Sequence, residues 1–258
     1  MIKLNLLAVS VGNTRTRLGA FVDGQLVESA TFENRQESAI TEAMDHAFSP
    51  LRENDEAPVV MASVNPPAAR LVEANITRHL KRTVKRVERD LPIPIGRRLD
   101  PEAIVGEDRL LNAAAAYDVL KQACVIIDAG TAITIDVVDG QGTFHGGAIA
   151  PGAQLQLDAL HNRTAQLPEV EFDRPEEPIG HNTSQAMRCG VYHGLRGMVR
   201  ELVETYAEHL GAYPMVVATG GDSPLLFRDY EIVDRVAPDL TLTGLAVTWR
   251  VAVEQENA

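Results

Sequence analysis

Two carboxylates and three glycine turns are the groups whose types and spacing suit chemistry. Asp128 ends the apolar run Val125-Ile126-Ile127, directly before Ala129-Gly130-Thr131. A carboxylate there is costly unless it meets water, a donor or a cation, so its position points to function. Asp108 stands in Gly106-Glu107-Asp108-Arg109 at the start of a helical pattern, where an acidic residue serves equally as a cap or dipole partner. Arg109 beside it suits a carboxylate or phosphate fork and equally a surface ion pair. Gly12-Asn13-Thr14, Gly130-Thr131 and Thr219-Gly220-Gly221 each follow an apolar strand pattern. Glycine lets backbone N–H groups approach anionic oxygens and threonine adds donors, so the three together suit a polyphosphate, although each alone is also an ordinary turn. Phosphoryl transfer needs one carboxylate to hold a cation and water near the phosphates. It needs another to take the proton of an attacking hydroxyl. Asp128 and Asp108 are the candidates.

These groups sit on a repeated strand unit. LLAVSVGNTRTRLGAFVDGQ (6–25) and CVIIDAGTAITIDVVDGQ (124–141) share one order: apolar strand, small-residue turn, second strand, Asp-Gly. Asp23-Gly24 and Asp139-Gly140 are hairpin signals, because these residues accept the positive φ of tight type I′ turns. Segments 26–32 and 143–149 follow as third strands. A repeat spaced by half the chain argues for two α/β lobes, read as 1–115 and 116–258, rather than a solenoid with its period of about 20–50 residues. Between the units, 58–65 reads as a buried strand stopped by Pro66-Pro67, then a helix to residue 80, then a strand at 83–87. Helices are expected at 106–121, 152–161, 184–209 and 240–255, and a strand at 214–221. Segment 162–183, with Pro168, Pro175 and Pro178, is one long irregular stretch of the kind that often carries function. Neither G-x-x-x-x-G-K-[ST] nor G-x-G-x-x-G follows a predicted strand, which argues against those phosphate-binding classes. The duplicated design is similar instead to the actin and sugar-kinase ATPase fold, with a nucleotide held in a cleft between lobes.

Composition narrows the partners. The chain is 45% hydrophobic and 23% charged over 258 residues, as a globular protein is. With 36 acidic against 24 basic side chains, its net charge of −12 disfavours nucleic acid and anionic membrane. The densest basic run, 78–89, mixes its charges with Leu80, Val84 and Val87 as a solvated face does. No stretch reaches the roughly 18–20 apolar residues of a membrane span. The N-terminal apolar run flows into the Gly-Asn-Thr turn and reads as a first strand, not a signal peptide. Cys124 and Cys189 lack C-x-x-C or Cys/His ligand spacing and fit buried thiols in a reducing, cytoplasmic compartment. His145, His161 and His193 read as polar surface or satisfied core.

The chain resembles the type III pantothenate kinase family at ten ordered stretches. They are Gly12-Asn13-Thr14, Ser63-Val64-Asn65-Pro66, Gly106-Glu107-Asp108-Arg109, DAGTAITID (128–136), GGAIAPG (146–152), TAQLP (164–168), IGHNT (179–183), AMRCGVYHG (186–194), ATGG (218–221) and PDLTLTGL (238–245). The resemblance implies a homodimer of duplicated ribonuclease-H-like lobes that transfers the γ-phosphoryl group of ATP to pantothenate, the first step of coenzyme A synthesis. It implies that Asp108 is the general base and that Gly106, Glu107, Asp108 and Arg109 contact pantothenate, with Thr183, which in the family can come from the partner subunit. Asp128 would bind a monovalent cation, potassium or ammonium, and Thr131 would contact ATP. The turn Ser10-Val11-Gly12-Asn13-Thr14-Arg15-Thr16-Arg17 would wrap the phosphates, with magnesium carried by the nucleotide.

Two positions depart from the family pattern. The first motif is D-x-G-N-T in the family, and this chain has Ser10; the internal repeat likewise sets Ser10 against Asp128. Serine supplies no charge to organise magnesium and its waters, and outer-shell losses of that kind cost about 10–100-fold. The alternative that follows is a catalytically impaired relative acting as a ligand-binding or regulatory accessory. Leu99 stands where the family often has an aromatic residue, which bears on one wall of the substrate pocket and on the choice of hydroxylated acid.

Overall fold

A computed structural model describes residues 4–53 and 57–257. The first three residues of the N-terminal run thus lie outside the described residues. The chain forms two compact units, one of 1–95, 100–118 and 240–258, the other of 96–99 and 119–239. The helices are α1 (Glu37–Phe48), α2 (Pro66–Asn75), α3 (Glu107–Leu120), α4 (Ala153–Arg163), α5 (Thr183–Leu210), α6 (Ser223–Phe227) and α7 (Leu240–Glu256).

The first unit holds β1 (Leu6–Val11), β2 (Arg15–Val22), β3 (Gln25–Glu33), β4 (Val59–Ser63) and β5 (Val84–Arg86), in sheet order β3-β2-β1-β4-β5. β1, β2 and β3 are antiparallel, whereas β4 runs parallel to β1 and to β5. Alternate residues Leu7, Val9 and Val11 join Leu18, Ala20, Val59 and Met61 in a core completed by α1 and α2. Each buried aliphatic side chain contributes about 1.5–3 kcal/mol relative to exposure, so a one-residue slip that turned this set to solvent is strongly disfavoured. The opposite face takes α7, which packs where Gly19 leaves room for Leu242; a Cβ on Gly19 would lie 2.9 Å from Leu242 Cδ1. α7 also packs on α3 at Gly244, whose Cβ would overlap the Leu111 carbonyl oxygen. The return of α7 makes this unit discontinuous in sequence, unlike two lobes divided once between 115 and 116.

The second unit holds β6 (Gly96–Arg97), β7 (Cys124–Ala129), β8 (Ala132–Val138), β9 (Thr143–Pro151), β10 (Met215–Thr219) and β11 (Arg235–Val236), ordered β11-β10-β7-β8-β9-β6. Apart from the added β6 edge, this repeats the first sheet, three antiparallel strands and then two parallel ones, as in a ribonuclease-H-like lobe. Val125, Ile127, Ala129, Ile133, Ile135 and Val137 face a core closed by α4, α5 and α6.

The two hairpin signals end differently. Asp23 and Gly24 both take positive φ, 49° and 81°, as a type I′ turn requires. In the second lobe the left-handed residue is Gly142, at φ 80°, and Asp139 closes a longer loop by accepting the Gln141 and Thr143 N–H groups. Its other oxygen lies 2.7 Å from His145 Nε2, which makes His145 a satisfied partner. The expected helix to residue 80 is α-helical only to Asn75 and ends in a wide π turn, 76–80. Segment 164–182 is irregular, as expected, and is held by side chains. Gln154 bonds both Val170 O and Phe172 N, and Arg174 pairs with Asp229 at 2.6 Å. Both cysteines are buried free thiols, and burial pushes that of Cys124 up to about 12.

Candidate active site

In the first unit the site begins where β1 ends. Ser10 is half-buried on the face of β1 away from the α1 and α2 core, opposite Arg17 on β2 and Ala62 on β4. The chain then reverses over Gly12-Asn13-Thr14-Arg15, closed by Gly12 N–H donating to Arg15 O at 2.9 Å. The carbonyls of this turn all accept hydrogen bonds from protein. Asn34 Nδ2 donates to Gly12 O at 2.8 Å and Asn13 O at 3.2 Å, and the Asn34 backbone N–H donates to Thr14 O at 2.9 Å. Asn65 Nδ2 donates to Asn13 O at 3.1 Å. Holding these carbonyls on protein donors keeps their lone pairs from an approaching anion, which suits an anion site. Asn13, Thr14 and Arg15 are exposed, and Arg17 is half-buried. Thr16 is fully buried and spends its hydroxyl on Asn34 Oδ1, at 2.7 Å.

The end of β4 ties this turn to α3. Asn65 N-caps α2, accepting Ala68 N–H, while its own N–H bonds Ser63 Oγ at 3.0 Å. Two residues earlier, the Ser63 N–H donates to Glu107 Oε2 at 2.7 Å. Residues 63–65 therefore join the Gly12 turn and the start of α3 into one frame. Asp108 lies half-buried on the first turn of α3, and its Oδ1 accepts the Arg109 N–H at 2.8 Å. A Cβ on Gly106 would sit 2.5 Å from that oxygen, so glycine there lets the carboxylate fold back over the turn. Desolvation raises the Asp108 carboxyl above its ordinary range against the Arg109 N–H and charge, which lower it. Glu107 is raised for the same reason, opposed first by the Ser63 N–H.

In the second unit Asp128 ends β7 half-buried, between Thr134 on β8 and Thr219 on β10. The glycine turn after β10 packs against it: Gly220 has φ 91°, and a Cβ there would lie 2.5 Å from Asp128 Oδ1. Main chain fixes the neighbouring turn, with Asp222 N–H on Ala129 O at 3.0 Å and Gly152 N–H on Thr131 O at 2.9 Å. Thr131 is exposed. Leu99, just past β6, is half-buried against Gly146, and Thr183 is exposed as the first residue of α5 after its cap Asn182.

Among the described residues no group of three His, Cys, Asp or Glu side chains is arranged to hold a metal ion. Magnesium does not require one, since it is usually bound through one or two carboxylates plus substrate phosphates. Asn34, in the turn after β3, escapes a reading of the sequence because no motif surrounds it, whereas Ser63 stands in the Ser63-Val64-Asn65-Pro66 stretch. Asn65 carried a signal, an asparagine directly before Pro66-Pro67, the pattern of an N-cap followed by proline at N1.

A family model for type III pantothenate kinase matches residues 6–205. This chain belongs to that family. A type III pantothenate kinase from Dehalococcoides mccartyi (strain CBDB1) is 36% identical over 253 residues, covering 95% of each chain. One from Rhodospirillum rubrum is 37% identical over 252 residues, 95% of this chain and 98% of that one. Among solved structures, the activator of the 2-hydroxyisocaproyl-CoA dehydratase from Clostridium difficile with bound ADPNP matches at TM-score 0.55 and 13% identity, covering 98% of this chain and 97% of that one. That likeness is one of fold: the duplicated lobes of the actin and sugar-kinase ATPases. Among the described residues no helix is long and apolar enough to cross a membrane.

Proposed function

We propose that this chain transfers the γ-phosphoryl group of ATP to the hydroxyl of pantothenate, giving 4′-phosphopantothenate. One observation carries the reading: Asp108, in the Gly106-Glu107-Asp108-Arg109 stretch, is a half-buried carboxylate at the start of α3 whose Oδ1 is held by the Arg109 N–H; desolvation raises it, as suits a proton acceptor. Asp108 takes the hydroxyl proton as the oxygen attacks phosphorus. Arg109 and the α3 N-terminus favour the acceptor's carboxylate. The donors of residues 12–17 and Thr131 orient the phosphates, with Thr16 supporting from the core side. Magnesium, when bound, neutralises charge on the phosphate oxygens; Ser10 adds no charge, so the ion arrives with the nucleotide. Asp128, seated against the Gly220 turn, is the residue for a monovalent cation, potassium or ammonium. Leu99 and Thr183 complete the pantothenate contacts, and a cytoplasmic homodimer, as the family resemblance implies, is the working form.

The test is steady-state ADP release with ATP, magnesium, potassium and pantothenate. Turnover that requires pantothenate and falls about 10²–10⁴-fold in Asp108→Asn supports the reading. A parent that binds pantothenate without turnover, but turns over as Ser10→Asp, overturns it.

A further inference from the structure

Asn34 is the most heavily used polar side chain near the Gly12 turn, and no role has been given to it above. Its amide nitrogen faces two carbonyls, Gly12 O at 2.8 Å and Asn13 O at 3.2 Å, and its oxygen faces the Thr16 hydroxyl at 2.7 Å. This orientation is determined by chemistry. The carbonyls only accept, so the nitrogen must face them; the fully buried Thr16 hydroxyl then donates to the oxygen. The Asn34 backbone N–H takes a third carbonyl, Thr14 O, at 2.9 Å. Three of the turn's carbonyls are therefore held by one residue at the end of β3, twenty residues away in sequence from the turn it fixes.

We propose that Asn34 is a positioning residue for nucleotide phosphate: it holds the carbonyls of residues 12–14 on protein donors, so that their lone pairs do not face an anionic ligand at the turn. The proposal rests on the kinase reading above for the identity of the ligand, and on the geometry of the turn for the rest. Where a carbonyl rotates outward it presents a lone pair to an anionic oxygen, and binding weakens through the same hydrogen-bond framework that had favoured it. Asn34→Asp keeps shape and the Thr16 bond but sets a carboxylate against two carbonyls. Protonation of that carboxyl restores a donor, so the defect shrinks as pH falls.

The experiment measures kcat and KM for both substrates, and thermal midpoints, for the parent, Asn34→Asp and Asn34→Ala. Asn75→Asp is the control, since Asn75 Nδ2 makes a like amide-to-carbonyl bond, to Leu71 O at 2.8 Å, on the exposed end of α2. A displacement of about 1 Å at such a site can cost about 100-fold. The expected result is a rise of roughly 10–100-fold in KM for ATP, a KM for pantothenate unchanged within experimental error, partial recovery of Asn34→Asp toward low pH, and no change in Asn75→Asp. A fall in thermal midpoint with ATP KM unmoved, or an equal loss toward both substrates, overturns the proposal and leaves Asn34 as scaffold. Should Asn34→Asp fail to fold, Thr16→Val, isosteric in the core, frees the amide oxygen and decides the matter by the same ATP KM. If the parent releases no ADP with pantothenate, the kinase reading fails, while calorimetric titration of the same variants with ADP still tests Asn34.

Discussion

The Gly12 turn and the Gly130 turn occupy the same place in two copies of one sheet, yet they are fixed by different means. In the first unit side-chain amides, Asn34 and Asn65, hold the Gly12 and Asn13 carbonyls, with main-chain N–H groups on those of Thr14 and Arg15. In the second, main-chain N–H groups of Gly152 and Asp222 hold the carbonyls of Thr131 and Ala129. The penultimate residue of the strand before the first turn is Ser10, and of the strand before the second, Asp128. Holding the second turn by backbone demands close approach, and therefore glycine, at the neighbouring Gly152 and Gly220. A turn held by side chains leaves its stiffness open to substitution. Charge follows the same division, with the carboxylate in the rigid copy and none at the strand end of the other.

The sharpest way to break this comparison is Gly152→Ala. An added Cβ would overlap Gly130 O and stand 2.7 Å from Thr131 O, all backbone that cannot yield cheaply. A cost of about 3 kcal/mol in urea unfolding is expected, against about 1 kcal/mol for Asn65→Ala, which loses a helix cap. Equal costs would mean that the backbone-held turn is no more demanding than the other.

Gly130→Ala sharpens the same contrast with a smaller effect. Its φ is not positive, and a Cβ would meet nothing closer than Ala132 O at 3.8 Å, so the fold does not need glycine there. If phosphate oxygens approach this backbone, the substitution leaves stability within about 0.5 kcal/mol and raises the ATP KM about 10-fold, as a lost or displaced hydrogen bond does. Unchanged ATP kinetics would remove the Gly130 turn from the site. Ser10→Asp comes next, because it makes the first strand end like the second. A change in magnesium dependence of under about 10-fold is expected, below the range for losing an outer-shell carboxylate the enzyme relies on. A larger gain would show that the first unit had been waiting for the charge.

The repeated three-strand unit was legible in the sequence because the apolar runs and the two Asp-Gly turns recur together, and either unit's pattern predicts the other. The placement of Asp108, Asp128 and the glycine turns followed from strand ends and a helix start. What stayed hidden lies in long-range polar contacts. Asn34 and Ser63 act across 22 and 44 residues of sequence, and a side-chain amide on a distant carbonyl leaves no periodic trace. The short elements α6, β6 and β11 were also unread, being too brief for periodicity to stand out, and α1 was missed although Ile40, Met44, Ala47 and Phe48 fall at helical spacing. α7 joined the first unit for a reason no window of local sequence contains: the fit of Leu242 beside Gly19 and of Gly244 against α3.

The smallest effect compares Asp108 with the carboxylates of the molecular surface. Its folded-state value is raised by desolvation, so the protonated form is the one the fold prefers. Its stabilising contribution is complete below the ordinary aspartate value and is lost as pH rises through the raised folded value. Asp229, by contrast, is lowered by its bond to Arg174, and its contribution is present above the ordinary value and lost as pH falls through the lowered one. Asp108→Asn, a mimic of the protonated form, should therefore be slightly more stable than the parent at pH 7.5, with the gap closing toward pH 5, whereas Asp229→Asn should be no more stable at either. Urea midpoints at the two pH values measure this. If Asp108 is the base, activity runs the other way, since only its ionised form accepts a proton, and the raised carboxyl moves the acid limb upward. Opposite slopes in stability and turnover for one residue are what a base held in unfavourable surroundings for its chemistry produces; parallel slopes would mean that Asp108 is a helix cap and nothing more.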